Sequence, residues 1–194
     1  VNQGDCVHVM SMTDGVSARG ASGIEDIEFR RSAALEASKI LGFSWAAKYD
    51  FTDNGMDSYP LIEIVKAIEE VKYRCLPSLV YTHSSADLNI DHKVVTNAVL
   101  TAFRPQPNET CKEIRLIETA SATDYGNAAI TGSFVPNLFV NITHEWDAKK
   151  AALEAYMGEM RDYPHSRSLK ALSYLAQVRG CQVGVELAEA FQVI

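Results

Sequence analysis

Apolar and polar positions change their period several times along the chain, and each change marks an element. Residues 6–12 form an apolar-rich run that opens after a Gly-Asp turn and stops at Thr13-Asp14-Gly15, the pattern of a strand. His8 alternates with apolar neighbours there, which suits a histidine in or beside a core. Residues 16–23 are small and read as a loop. Between residues 25 and 41, Phe29, Ala33, Ala34, Ala37, Ile40 and Leu41 fall close to helical period, and Gly42 supplies a C-cap. A second strand follows over 43–51 and ends in Thr52-Asp53-Asn54-Gly55. A second helix over 61–74 sets Leu61, Ile64, Val65, Ile68 and Val71 on one face.

The short run Leu79-Val80-Tyr81, bounded by Pro77 and a polar cluster, reads as a buried strand, and residues 94–103 as a helix with an apolar face. After a Pro-rich break at 104–108, alternation gives strands over 114–119 and 137–142. The polar, small-residue loop between them, 120–135, is long for a single domain and therefore a candidate binding loop or lid. Helices follow over 144–161 and 169–179, separated by Pro164-His165-Ser166-Arg167-Ser168, and residues 184–191 close the chain. Strands alternating with helices at this spacing build βαβ units. The reading is an α/β fold: a three-layer, Rossmann-like domain with a mainly parallel sheet, one domain over residues 1–194. A chain of this length can bury roughly 70% of its unfolded surface.

Ten residues concentrate the chemistry. His83-Ser84-Ser85-Ala86-Asp87-Leu88-Asn89-Ile90-Asp91-His92 holds two imidazoles, two carboxylates and a carboxamide between a strand and a helix. Open α/β sheets bind their ligands at that end of a strand. Asp91 and His92 at a helix entrance suit a metal or an acid/base site. N-capping by Asn89 or Asp91 explains part of the same pattern but not the two histidines and Asp87. Asp14, Asp53 and Asp57 are adequately explained as turn residues. Arg30 and Arg31 suit a solvated helix face or, beside a cleft, an anionic or hydroxyl-rich ligand.

Composition narrows the function classes. A formal charge of −7 with pI near 5.2, and no stripe of lysine or arginine, argues against nucleic acid as a partner. No apolar run reaches the length of a membrane span. Cys6, Cys75, Cys111 and Cys181 are irregularly spaced, which fits reduced thiols in a cytoplasmic protein. There is no G-x-S-x-G elbow, no P-loop and no G-x-G-x-x-G, so serine hydrolysis and nucleotide binding by these routes lack support.

The run Leu79-Val80-Tyr81-Thr82-His83, followed by Asp87-Leu88-Asn89-Ile90-Asp91-His92, resembles the second signature of the PIG-L/LmbE-like metal-dependent N-deacetylases. Thr13-Asp14-Gly15, Arg30 ahead of Ile40-Leu41-Gly42, Asp53-Asn54, Lys150 through Tyr156, Arg179-Gly180 and Ala188-Glu189-Ala190-Phe191 follow the family in order and spacing. The resemblance implies hydrolytic N-deacetylation of an acetamido sugar of the N-acetylglucosamine type, with zinc as cofactor. It carries over His92 as the metal ligand, Asp91 as the residue that supports that ligand, and Arg30 and Asp53 as substrate contacts. The implied partner is a small amino-sugar substrate, and homo-oligomer formation is left open.

Two departures accompany the resemblance. Asn89 stands where many members carry histidine; it can donate a hydrogen bond to an oxyanion but delivers no proton at neutral pH, so His83 or another group would supply the acid. The A-H-P-D-D-E motif, which gives the family a His and an Asp ligand and the general base, is absent from the 194 residues. A strand and helix carrying it, roughly 30 residues, are expected ahead of Val1, with the remaining zinc ligands, because a catalytic zinc needs about three protein ligands. The alternatives are a catalytically impaired sugar-binding or assembly protein of the same fold, and a hydrolase or transferase acting through serine or cysteine.

Overall fold

The computed structural model describes residues 4–16, 18 and 24–194. Most of the small-residue loop read over 16–23, and the first three residues, lie outside the described residues. Among the described residues, six strands and six α-helices follow one another as β1 (His8–Thr13), α1 (Ile24–Leu41), β2 (Ser44–Phe51), α2 (Leu61–Cys75), β3 (Leu79–Thr82), α3 (Ile90–Ala102), β4 (Glu113–Ile117), α4 (Ala128–Thr131), β5 (Leu138–Asn141), α5 (Trp146–Ala155), α6 (Leu169–Cys181) and β6 (Ala188–Val193). Apart from α4, inside the stretch read as a loop, and β6, in the segment read only as the chain's close, this is the α/β order read from the sequence.

The strands pair parallel as β1 with β2 and as β3 with β4. β6 runs antiparallel between β4 and β5, so β3, β4 and β5 share one direction and β6 alone opposes them. The sheets are therefore mixed and mainly parallel, but they are two: β1–β2, and β3–β4–β6–β5. Among the described residues no ladder joins them, and β1 and β3 each keep one unpaired edge. No residue of β1 is buried, and only Thr82 is buried in β3. Strands covered by helices on both faces normally read as fully buried.

A helix layer bridges the two sheets. α2 turns Ile64, Val65 and Ile68 onto Ala98, Val99 and Ala102 of α3, with Met56 and Phe103 closing the cluster. Met10 of β1, Phe51 of β2, Val80 of β3 and Ile114 of β4 pack against the same cluster. Ile64 and Met56 are wholly buried, and burial of each such side chain stabilises the fold by about 1.5–3 kcal/mol. The left-handed residue Leu76, at φ 46°, ends α2 and returns its N–H to the Lys72 carbonyl, turning the chain into β3.

Two boundaries differ from the periodic reading in ways that matter. α3 begins at Ile90, four residues before the apolar pattern does, because Asn89 caps it. Asp91 and His92 thus sit in the first helical turn. α5 stops at Ala155, well short of residue 161. Beyond it, Gly158 lies against the Phe29 ring, and Glu159 pairs with Arg30 and Arg167.

Candidate active site

The site is built where β3 hands over to α3. The Asn89 side-chain carbonyl accepts the N–H groups of Asp91 at 2.8 Å and His92 at 3.4 Å, satisfying two of the free donors of the helix start. Its amide donates to the Asn54 side-chain oxygen at 3.1 Å. Both ends of Asn89 are therefore engaged in holding backbone and loop.

Asp91 reaches across to the turn after β2. Its carboxylate accepts the Asn54 N–H at 2.7 Å and the Met56 N–H at 3.0 Å, and the residue is buried. Asn54 adopts φ 53°, a left-handed conformation that asparagine tolerates. The carboxylate on the imidazole of His92 belongs instead to Asp87, whose Oδ2 lies 2.7 Å from Nδ1. Asp87 is fully buried, and its other oxygen accepts the Thr123 hydroxyl at 2.6 Å.

His83 stacks face to face on His92, ring centroids 3.9 Å apart and planes within 8°. Burial, and secondarily the neighbouring His92, push the His83 pKa down to about 4, so this ring is neutral at neutral pH and no source of protons there. Its Nδ1 is buried without a hydrogen-bond partner.

Among the described residues, His83, Asp87 and His92 are the one group of three potential metal-ligating side chains, with donor atoms within 4.8 Å of one another. The arrangement fits zinc at one corner. Imidazole lone pairs lie in the ring plane, so two stacked parallel rings direct theirs side by side rather than onto a common point. Asp87 already serves His92 and Thr123. What remains is Nε2 of His92, freed because Asp87 holds Nδ1, the carboxylate–histidine pairing that orients metal-binding imidazoles.

Arg30 and Asp53 lie along the same end of the sheets. Asp53 accepts the Thr13 hydroxyl at 3.4 Å. Burial, then the charges of Asp91 and Asp14, raise its carboxyl pKa against the opposing pull of Arg30. The Arg30 guanidinium pairs with Glu159, lies over the Tyr156 ring at 5.5 Å and packs on Gly15, where an added Cβ would stand 3.1 Å from it. Arg31 faces outward to Asp50 at 3.3 Å. The structure thus gathers Asp53, Asn89, Asp91 and His92 around the β2 turn and the α3 start, with Arg30 beyond Asp53. Thr123 and Glu159 went unnamed in the sequence, and Asn54 was named only as part of the loop after the second strand; the only signal for Thr123 was the length of its loop.

A family model described as PIG-L, GlcNAc-PI de-N-acetylase, matches residues 1–103. The chain belongs to this family. The matched span holds Arg30, Asp53, Asp87, Asn89, Asp91 and His92, whereas Thr123 and Glu159 lie beyond it. No curated protein matches the chain. Among solved structures it resembles N,N'-diacetylchitobiose deacetylase from Pyrococcus horikoshii, at 20% identity and TM-score 0.74, over 100% of this chain and 74% of that one. The zinc-inhibited form of teicoplanin deacetylase Orf2 matches at 17% identity and TM-score 0.74, over 100% and 89%. The 4-carboxy-2-hydroxymuconate hydratase GalB from Pseudomonas putida KT2440 matches at 22% and 0.71, over 100% and 85%. A hydratase beside deacetylases means that the fold alone leaves the reaction open. Among the described residues no helix is long and apolar enough to cross a membrane.

Proposed function

We propose that this protein works in metal-dependent, hydrolytic N-deacetylation of an acetamido sugar of the N-acetylglucosamine type or its conjugate. The observation that carries the reading is the Asp87–His92 pair at the head of α3, inside the span matched by the family, which leaves one imidazole nitrogen ready for a metal. Zinc is the cofactor this reading calls for: when bound it supplies a Lewis acid for the amide carbonyl and a nucleophile at neutral pH. The other ligands belong to the family's A-H-P-D-D-E unit, which the 194 residues do not contain. The break between the β1–β2 pair and the larger sheet is where one more parallel strand would make a continuous sheet, and we place that unit there, within a single domain.

The chain's own residues then take these parts. His92 ligates through Nε2, and Asp87 holds the opposite nitrogen. Asp91 ties the β2 turn to α3 and so supports the ligand through the backbone rather than through the ring. Asn89 fixes the first turn of α3 and meets the substrate oxyanion only if its amide leaves Asn54. Arg30 and Asp53 contact sugar hydroxyls, and burial with the charges of Asp91 and Asp14 raises the Asp53 carboxyl pKa. All four cysteines are free, which supports a cytoplasmic setting.

One observation favours the second reading, a sugar-binding protein of the same fold with impaired catalysis: the double engagement of Asn89. Acetate release from N-acetylglucosamine derivatives decides between them, measured on the chain with zinc and on the chain preceded by an A-H-P-D-D-E unit. Binding without acetate release from either form would favour the second reading.

A further inference from the structure

The imidazole of His92 is held by more than Asp87. Thr123 stands in the turn after β4, on the long loop between β4 and β5, thirty-one residues from His92 in the chain. The Thr123 hydroxyl oxygen accepts the Thr119 N–H at 2.7 Å. With that acceptor position taken by a backbone donor, the hydroxyl proton is directed to Asp87 Oδ1, 2.6 Å away. Asp87 has no solvent exposure, so Oδ1 has no water to turn to, and Oδ2 is left to accept from His92 Nδ1. The donors converge on Asp87: the Thr119 amide donates to Thr123, the Thr123 hydroxyl to Oδ1, and the His92 Nδ1–H to Oδ2.

The loop that carries Thr123 is fixed to the 83–88 segment at two more points. Leu88 N–H donates to the Ala122 carbonyl at 2.9 Å, and Gly126 lies so close to the Ala86 carbonyl that an added Cβ would be 2.4 Å from it. His83, stacked on the other side, holds the plane of the His92 ring.

We propose that Thr123 is a positioning residue which, acting through Asp87, sets the His92 tautomer with its proton on Nδ1 and its lone pair on Nε2. The loop between β4 and β5 is thereby part of the site without touching a metal. Outer hydrogen bonds of this kind typically alter metal affinity by 10–100-fold when removed. The consequence for catalysis rests on the deacetylase reading above, but the tautomer itself does not.

The test is imidazole nitrogen NMR on the full 194-residue chain without metal, at a pH where His92 is neutral. The expected result is a His92 ring protonated at Nδ1 in the wild-type protein, a several-fold shift of the tautomer ratio toward Nε2–H in Thr123→Val, and return to the wild-type ratio in Thr123→Ser. Should the valine variant not fold, Thr123→Ala is read in its place. A wild-type ring protonated at Nε2, or an unchanged ratio in a folded Thr123→Val or Thr123→Ala protein, overturns the proposal. No substrate or turnover enters this measurement, so its failure is distinct from a failure of the acetate-release assay.

Discussion

The Asp91 carboxylate accepts the backbone N–H of Asn54 at 2.7 Å, and with its second oxygen that of Met56, so the acidic residue beside the metal-ligand candidate is the anchor of a loop from another sheet. An asparagine there keeps one acceptor and presents an amide donor to the second N–H. Asp91→Asn should therefore destabilise the protein by about 1.5–3 kcal/mol, the range for losing a charge-assisted, buried hydrogen bond. Urea unfolding measures the cost, and faster amide exchange at Met56 locates it. An unchanged midpoint would mean that the turn is held elsewhere.

His83 makes the fold sensitive to acid. Its pKa is pushed down to about 4 from the usual 6.5 by burial, so protons bind the unfolded chain more readily than the folded one. Stability from this group is complete above pH 6.5 and is lost as pH falls toward 4, to a total of about 3 kcal/mol. Unfolding free energies at pH 7, 5.5 and 4.5 should trace that loss, and His83→Gln should flatten this part of the profile.

Asp53 works in the opposite sense. Its pKa is raised by burial and by Asp91 and Asp14, so the folded state prefers the protonated carboxyl. The stability it gives is present below the ordinary carboxylate range and is lost as pH rises through the raised value. Asp53→Asn should thus be more stable than wild type at pH 7, with the advantage fading in acid, while acetate release falls. Asp91→Asn, by removing one repelling charge, should bring the Asp53 pKa back down, which carboxyl NMR titration reads directly.

The β4–β5 loop has no room for a larger residue at its closest approach. An alanine at 126 would set its Cβ 2.4 Å from the Ala86 carbonyl. Gly126→Ala should cost about 1–3 kcal/mol, as overpacking does. It should also loosen the Leu88 N–H bond to Ala122, seen as faster exchange at Leu88.

Much of this was legible in the residues, and what was not has physical causes. The βα order followed from period changes, since Ile64, Val65 and Ile68 on α2 repeat at helical spacing and do form the core. The apolar period of α3 begins only at Val94, because periodicity reads apolar positions alone; the polar signal of Asn89, offered as an N-cap, is what places the start at Ile90. The antiparallel β6 could not be read, because strand direction depends on where the chain re-enters the sheet. The family resemblance carried over Asp91 as the residue that supports His92. In the helix, however, adjacent side chains diverge, and Asp87, five residues back on the loop, folds over the ring instead. Thr123 and Glu159 reach their partners only through tertiary structure, which one sequence does not show.

The central claim is that His92 is a metal ligand of an N-deacetylase, and one measurement addresses it most directly. Zinc-dependent acetate release from an N-acetylglucosamine derivative should be compared between His92→Ala and the unsubstituted protein, each preceded by the family's A-H-P-D-D-E unit. Loss of a ligand from a site needing about three should lower the rate by at least about 100-fold, with the fold intact by circular dichroism. A folded His92→Ala protein that releases acetate at the full rate would contradict the assignment.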